Sequence, residues 1–285
     1  VGAAQGAGGP LMRWLITGAG GMLGQDLRGV LHGRDVVAAT RADLDITSPH
    51  AVRDAVGGVD VVINAAAWTD VDGAETHEEA ATAINGHGVR TLAAAAGKRL
   101  IHLSTDYVFD GSATAPIPED APRAPLNAYG RSKAVGEEAV LASGGTVVRT
   151  AWLYGAHGPN FVSTVLRLAA ERDTVDVVDD QQGPPTWSRA LAEQLVALAQ
   201  APAAAPGVYH GTAAGSTTWY GLARAVFEEA GLDPSRVRPT TTDRFPRPAR
   251  RPPYSVLSHA GWAGSGVAPL PDWRTMLSTA MPLLR

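Results

Sequence analysis

Cysteine is absent from the 285 residues, which excludes disulfides, thiol catalysis and cysteine-ligated metal. Lysine is scarce: of 24 Lys plus Arg, only Lys98 and Lys133 are lysine. No apolar run approaches the roughly 18 residues of a membrane span. There is no basic excess either; at a net charge of -4 the chain lacks the electrostatic footprint of a nucleic-acid-binding protein. The basic and apolar regions of a signal peptide are missing from the N-terminus, so the cytoplasm is the simplest compartment to expect. Residues 1–11, uncharged and rich in Gly and Ala, read as a disordered extension or cloning remnant, with Met12 as a natural start.

What is present is an alternation of short apolar runs and helical periods. Trp14-Leu15-Ile16-Thr17 stops at Gly18-Ala19-Gly20-Gly21-Met22-Leu23-Gly24, and helical spacing follows over 25–31. A strand, a glycine-rich turn and a helix start are the context in which such a motif binds a dinucleotide. Glycines at 18, 21 and 24 allow a tight turn, close approach to a pyrophosphate and packing of the helix on the sheet. A second strand over 35–39 ends where NAD-binding chains place an acidic residue for the ribose hydroxyl. Thr40 and Arg41 stand there instead, which favours NADPH over NADH because Arg41 can meet a 2'-phosphate. Further strands are expected over 59–64 and 100–104. A helix is expected over 80–96, interrupted by Gly86 and Gly88, and a proline-rich loop over 116–125. The pattern predicts an α/β fold, a Rossmann-like doubly wound parallel sheet. Residues 12–150 form the nucleotide-binding unit in this reading. Residues 151–285 build mostly a smaller α/β substrate-binding lobe and send segments back to the sheet.

Tyr129 and Lys133 lie four residues apart on one predicted helix face, a coincidence expected for a given lysine about 2 times in 100. An ammonium beside a phenol is expected to lower its pKa and poise it as a proton donor. Thr105 leaves the fourth strand just before that helix, so its hydroxyl and the Tyr129 phenol can both hydrogen-bond one carbonyl oxygen.

With these residues in order, the chain resembles the extended short-chain dehydrogenase/reductases and, more closely, the dTDP-4-dehydrorhamnose reductase family. The closer likeness rests on 64–69 with Val71-Asp72, on 104–111, 129–133 and 149–155, on Asp180-Gln181 with Pro185-Thr186, and on Ala249-Arg250-Arg251-Pro252. The resemblance implies a catalytic set of Thr105, Tyr129 and Lys133. It implies that Asn64, Ala65, Ala66 and Ala67 join the cofactor site together with Tyr129 and with Lys133, which would hold the nicotinamide ribose, and that Asp45 and Ile46 contact the adenine. Val71, Asp72, Asp106, Tyr107 and Trp152 would line a sugar pocket, with Asn160, Arg250 and Arg251 toward the nucleotide diphosphate. Nucleotide-sugar dehydratases place a glutamate directly after the Thr-Asp pair; here that position is Tyr107. The resemblance therefore implies plain reduction of a 4-keto group on a dTDP-linked 4-keto-6-deoxyhexose. A nucleotide-sugar epimerase and a non-catalytic NADP-binding regulatory subunit stay open as alternatives. Some family members hold magnesium at a dimer interface. No matching acidic cluster is visible, which leaves metal dependence and homodimerisation open, and no histidine spacing suggests a metal site.

Overall fold

The computed structural model describes residues 12–284; the expectation for residues 1–11 lies outside them. The first half alternates strand and helix: β1 (Trp14–Thr17), α1 (Met22–Val30), β2 (Val36–Ala39), α2 (Pro49–Val56), β3 (Val61–Asn64). Then come α3 (Val71–Ala74), α4 (Glu78–Thr82), a π-helical turn (Ala83–Gly88), α5 (Val89–Ala96), β4 (Leu100–Thr105), α6 (Ala128–Ala142) and β5 (Thr146–Thr150). The second half holds β6 (Leu153–Tyr154), α7 (Phe161–Glu171), β7 (Val175–Val178), β8 (Gln182–Gly183), β9 (Thr186–Trp187) and α8 (Ser188–Gln200). It ends with β10 (Val208–His210), β11 (Thr217–Thr218), α9 (Trp219–Glu229), β12 (Val237–Thr240) and α10 (Trp273–Leu284).

Six strands form one sheet in the order β2-β1-β3-β4-β5-β10, every pairing parallel. Strand alternation sorts side chains onto two faces. Trp14 and Ile16 pack with Leu23, Leu27, Leu191 and Leu195 on one side, and Leu15 packs with Val52, Val62, Leu92 and Val147 on the other. Each fully buried Leu or Val side chain contributes about 1.5–3 kcal/mol relative to exposure. Both faces are therefore covered, as a parallel sheet requires. A third core joins α7, β7, α9, β12 and α10 through Val162, Val165, Val175, Leu222, Val226 and Leu277.

Several elements begin or end differently from the sequence reading. α1 starts at Met22, three residues earlier than the helical spacing suggested, because extended Gly21 serves as its N-cap. The break foreseen at Gly86 and Gly88 is the π-helical turn, and the helix resumes as α5. Here glycine permits close approach: a Cβ on Gly86 would lie 2.8 Å from Val135 of α6, and one on Gly88 2.8 Å from Ile46. The short α3 was not foreseen; Asp70 caps it by accepting a hydrogen bond from Gly73 N at 2.9 Å. α9 starts only at Trp219, because residues 217–218 pair with β8.

The sheet order reverses direction between β1 and β3. Ligands bind doubly wound sheets at the carboxyl ends of strands beside such a reversal. Gly18 leaves β1 there and Ala65 leaves β3.

Candidate active site

At that reversal lies a cavity of about 990 Å³, lined among others by Gly18, Gly21, Arg41, Asp45, Ile46, Ala65, Ala66 and Ala67. Gly18 has φ of +71°, and a Cβ there would sit 2.5 Å from Ala66 N and 2.6 Å from Ala65 C. Only glycine fits between the two strand ends. The N-cap of α1 makes no side-chain cap, so the first N–H groups of the helix are left for a ligand. A glycine cradle opening onto uncapped helical N–H groups suits a dinucleotide pyrophosphate. Asp45 folds back on its own loop, accepting from Thr47 N at 2.9 Å and Thr47 Oγ1 at 2.7 Å. Arg41 is exposed at the rim and forms no salt bridge among the described residues. Met22, Leu23, Gly24 and Asn64 do not line the cavity; Leu23 and Gly24 are buried beneath it, and Asn64 is fully buried.

Asn64 instead anchors a buried polar chain. Its Oδ1 accepts from Thr17 Oγ1 at 2.6 Å and from Ala66 N at 3.0 Å, and its Nδ2 is 2.9 Å from His102 Nδ1. His102 Nε2 is 3.3 Å from Lys133 Nζ, which also donates to Leu103 O at 2.6 Å. Burial pulls Lys133 down to about 8, against the charge of Glu137, which pulls it up. Burial also holds His102 well below its ordinary range, helped by the charge of Lys133.

Thr105 ends β4 and caps the following turn, accepting from Tyr107 N at 3.1 Å and donating to Asp106 Oδ1 at 3.0 Å. Tyr129 stands in the first turn of α6, which Asn127 caps by accepting from Gly130 N at 2.8 Å. Contrary to the sequence expectation, the Tyr129 phenol is pushed up, not down. Burial is the main cause and the Asp106 charge adds to it, while a hydrogen bond with Thr105 works the other way. Lys133 does not offset this, because among the described residues its Nζ bonds His102 and Leu103 and not the phenol. Asp106 is itself raised to about 6 by burial, against hydrogen bonds from Ser255 and Thr105 that lower it. The Tyr107 ring meets Tyr129 edge-on, centroids 6.0 Å apart.

Tyr107 also lines a second cavity, of about 640 Å³, with Phe161, Gln181, Trp219, Arg247, Arg250 and Arg251 around it. Asp72 does not line it but secures its wall. Its carboxylate pairs with Arg251 through both oxygens, accepts from Ala249 N at 3.2 Å and lies 3.6 Å from Arg247. The Arg251 hydrogen bond holds Asp72 below the ordinary carboxylate range. Val71, Trp152 and Asn160 also stay outside the lining. Trp152, in the left-handed region at φ of +48°, stacks on Trp219 with centroids 3.6 Å apart and planes 5° apart. Asn160 is consumed as the N-cap of α7, in a capping box with Ser163. Phe161, Trp219 and Arg247 carry no motif signal of their own, because their segments are remote from one another in the chain. His102 carried a readable signal: one imidazole inside an otherwise apolar strand must find buried partners. Among the described residues no group of three or more His, Asp or Glu could hold a metal ion, and no helix is long and apolar enough to cross a membrane.

The family model described as RmlD substrate binding domain matches residues 12–285. A Streptomyces niveus protein named dTDP-4-keto-6-deoxy-D-glucose reductase is 52% identical over 282 residues, covering 95% of this chain and 97% of its own. A Mycobacterium tuberculosis protein named dTDP-4-dehydrorhamnose reductase is 50% identical over 281 residues, 94% of this chain and 92% of its own. The crystal structure of dTDP-4-dehydrorhamnose reductase from Bacillus anthracis in complex with NADP superposes with a TM-score of 0.90. It has 35% identity, over 95% of this chain and 99% of that one.

Proposed function

The chain belongs to the RmlD substrate binding domain family, and from that premise we propose that it uses NADPH to reduce the 4-keto group of a dTDP-linked 4-keto-6-deoxyhexose. The observation that carries the reading is the placement of Thr105 and Tyr129. Their hydroxyls interact at the carboxyl end of β4, and the Tyr129 ring meets edge-on the Tyr107 ring that lines the second cavity, although neither Thr105 nor Tyr129 lines either cavity itself. Two hydroxyls converging on one point fit a carbonyl oxygen that becomes an alkoxide.

The glycine cradle and the free N–H groups of α1, over 18–24, would hold the pyrophosphate. Asp45 and Ile46 would meet the adenine, Ala65 to Ala67 would line the approach to the nicotinamide, and Arg41 would meet the 2'-phosphate. The bound cofactor supplies the hydride that reaches the sugar C4. Tyr129 gives its proton to the oxygen that was the ketone, and Thr105 donates a second hydrogen bond there. The same burial that raises the Tyr129 phenol keeps the proton on it until negative charge develops on the oxygen. Lys133, on the next turn of α6, sustains the donor. Arg247, Arg250 and Arg251 suit the diphosphate, for which guanidinium geometry is well matched. Tyr107, Gln181 and Trp219 bound the sugar. The relatives named above are reductases, and no observation favours an epimerase or a regulatory subunit.

Replacing Tyr129→Phe tests the reading. With a dTDP-4-keto-6-deoxyhexose as substrate, NADPH consumption should fall by about 10²–10⁴-fold, while NADPH affinity stays near that of the wild type. Unchanged turnover would overturn the assignment.

A further inference from the structure

The buried chain from Thr17 to Lys133 contains more directional information than its distances alone. Ala66 N is a backbone donor, so the Asn64 atom that faces it must be the carbonyl oxygen. The amide is thereby fixed, and its NH₂ group points at His102 Nδ1. Nδ1 must then be the acceptor, which puts the single imidazole proton on Nε2. Nε2 faces Lys133 Nζ, and Leu103 O takes one of the Nζ protons. An Nε2–H can be satisfied by Nζ only if Nζ offers a lone pair, as an amine does and an ammonium does not.

We propose that His102 is a positioning residue that biases Lys133 toward its neutral amine in the cofactor-free protein, with the His102 tautomer dictated through Asn64 by the Ala66 backbone. An ammonium at Lys133 would need Nε2 as acceptor and would move the imidazole proton to Nδ1, against the Asn64 NH₂ group. Turning Asn64 to repair that contact would set its NH₂ against Ala66 N–H. Either way the buried chain holds one proton more than it has acceptors. The protonation state of Lys133 is thus tied to the strand end that also lines the first cavity.

The other groups facing this lysine are few. Glu137, one turn further along α6, favours the ammonium, but it is held by Arg149 at 2.8 and 2.9 Å and lies 3.4 Å from Arg123. From β4 the facing group is His102 itself, and Tyr129 shares the helix face. Burial displaces Lys133 downward to about 8, the same direction as the donor arrangement favours. His102 acts on the proposed reaction through Lys133, so the inference rests on the functional reading above, but its test does not use turnover.

Because the chain has only Lys98 and Lys133, ¹³Cε labelling of lysine gives two NMR signals. Exposed Lys98 serves as the internal reference. Nitrogen-15 labelling of histidine, with His102→Gln assigning the resonance by its loss, reports the tautomer in the wild type. The expected results are an Nε2–H tautomer and a Lys133 midpoint that rises by roughly one pH unit in His102→Gln, since a glutamine can turn its oxygen toward an ammonium. Lys98 should not move. An Nδ1–H tautomer, or an unshifted Lys133 midpoint in a folded variant, would overturn the proposal. If His102→Gln does not fold, the wild-type tautomer, assigned instead through Asn64→Asp, decides alone. A failed Tyr129→Phe experiment would leave both NMR results standing, so the two readings fail separately.

Discussion

The two cavities are made in opposite ways. The first is shaped mostly by backbone and small side chains at the ends of adjacent strands: Gly18 after β1, Ala65 to Ala67 after β3, and the loop after β2. The second is made of large side chains gathered from Tyr107, α7, β7, α9 and 242–251. It is held closed by contacts such as Asp72 to Arg251 and Trp152 to Trp219. A site built from the turns of a regular sheet tolerates little change in backbone but leans little on any one side chain. A site assembled from distant side chains does the reverse.

The contrast would break first at Gly18. Gly18→Val forces a branched residue into a left-handed conformation and against the Ala65–Ala66 backbone. NADPH affinity should fall by 100-fold or more, and stability by about 3 kcal/mol or more, as read by calorimetry and urea melts. A variant that binds NADPH normally would show that the cradle is not backbone-built. Arg251→Ala should spare NADPH affinity and raise the KM for the sugar nucleotide by about 10- to 100-fold, since it removes a cavity wall and strands Asp72. A matching loss of cofactor affinity would mean that the cavities are not separable.

Asp106, buried beside Thr105 and Ser255 and lining neither cavity, gives the contrast a pH axis. Its folded pKa of about 6 lies above the ordinary value of 3.8, so the ionised form is the disfavoured one in the fold. Its stabilising contribution is complete below the unfolded pKa and is lost as pH rises through about 6. Asp106→Asn should remove that loss. The variant should gain on the order of 2–3 kcal/mol relative to wild type at pH 8 compared with pH 4, as measured by denaturant unfolding at both pH values. A pH-independent difference would place the desolvation elsewhere. The smallest effect is expected at exposed Arg41: Arg41→Ser should weaken NADPH about 5- to 10-fold and leave NADH nearly unchanged.

The same contrast decides what could be read in the sequence. The sheet strands and the glycine loop are local patterns, and their expected positions match to within two residues at β1 to β4. The catalytic candidates Thr105 and Tyr129 follow from spacing along one β-α unit. The Tyr129 titration does not, because spacing says nothing about how deeply the phenol is buried or that Lys133 Nζ bonds Leu103 O and His102. Nor can a linear reading tell that Asn160 is consumed as a helix cap, or that Asp72 braces a segment 179 residues away. Such facts belong to packing between elements, for which a single chain carries no periodic signal.

That span of 179 residues also sets an order of assembly. The approach of Gly18 to Ala66 needs nothing beyond β3, so the cradle can close while most of the chain is still being made. The Asp72–Arg251 pair closes a loop of most of the chain, and loops of that length form late because their entropy is lost before any contact compensates. A chain interrupted before residue 251 can thus carry a finished cradle and no completed second cavity.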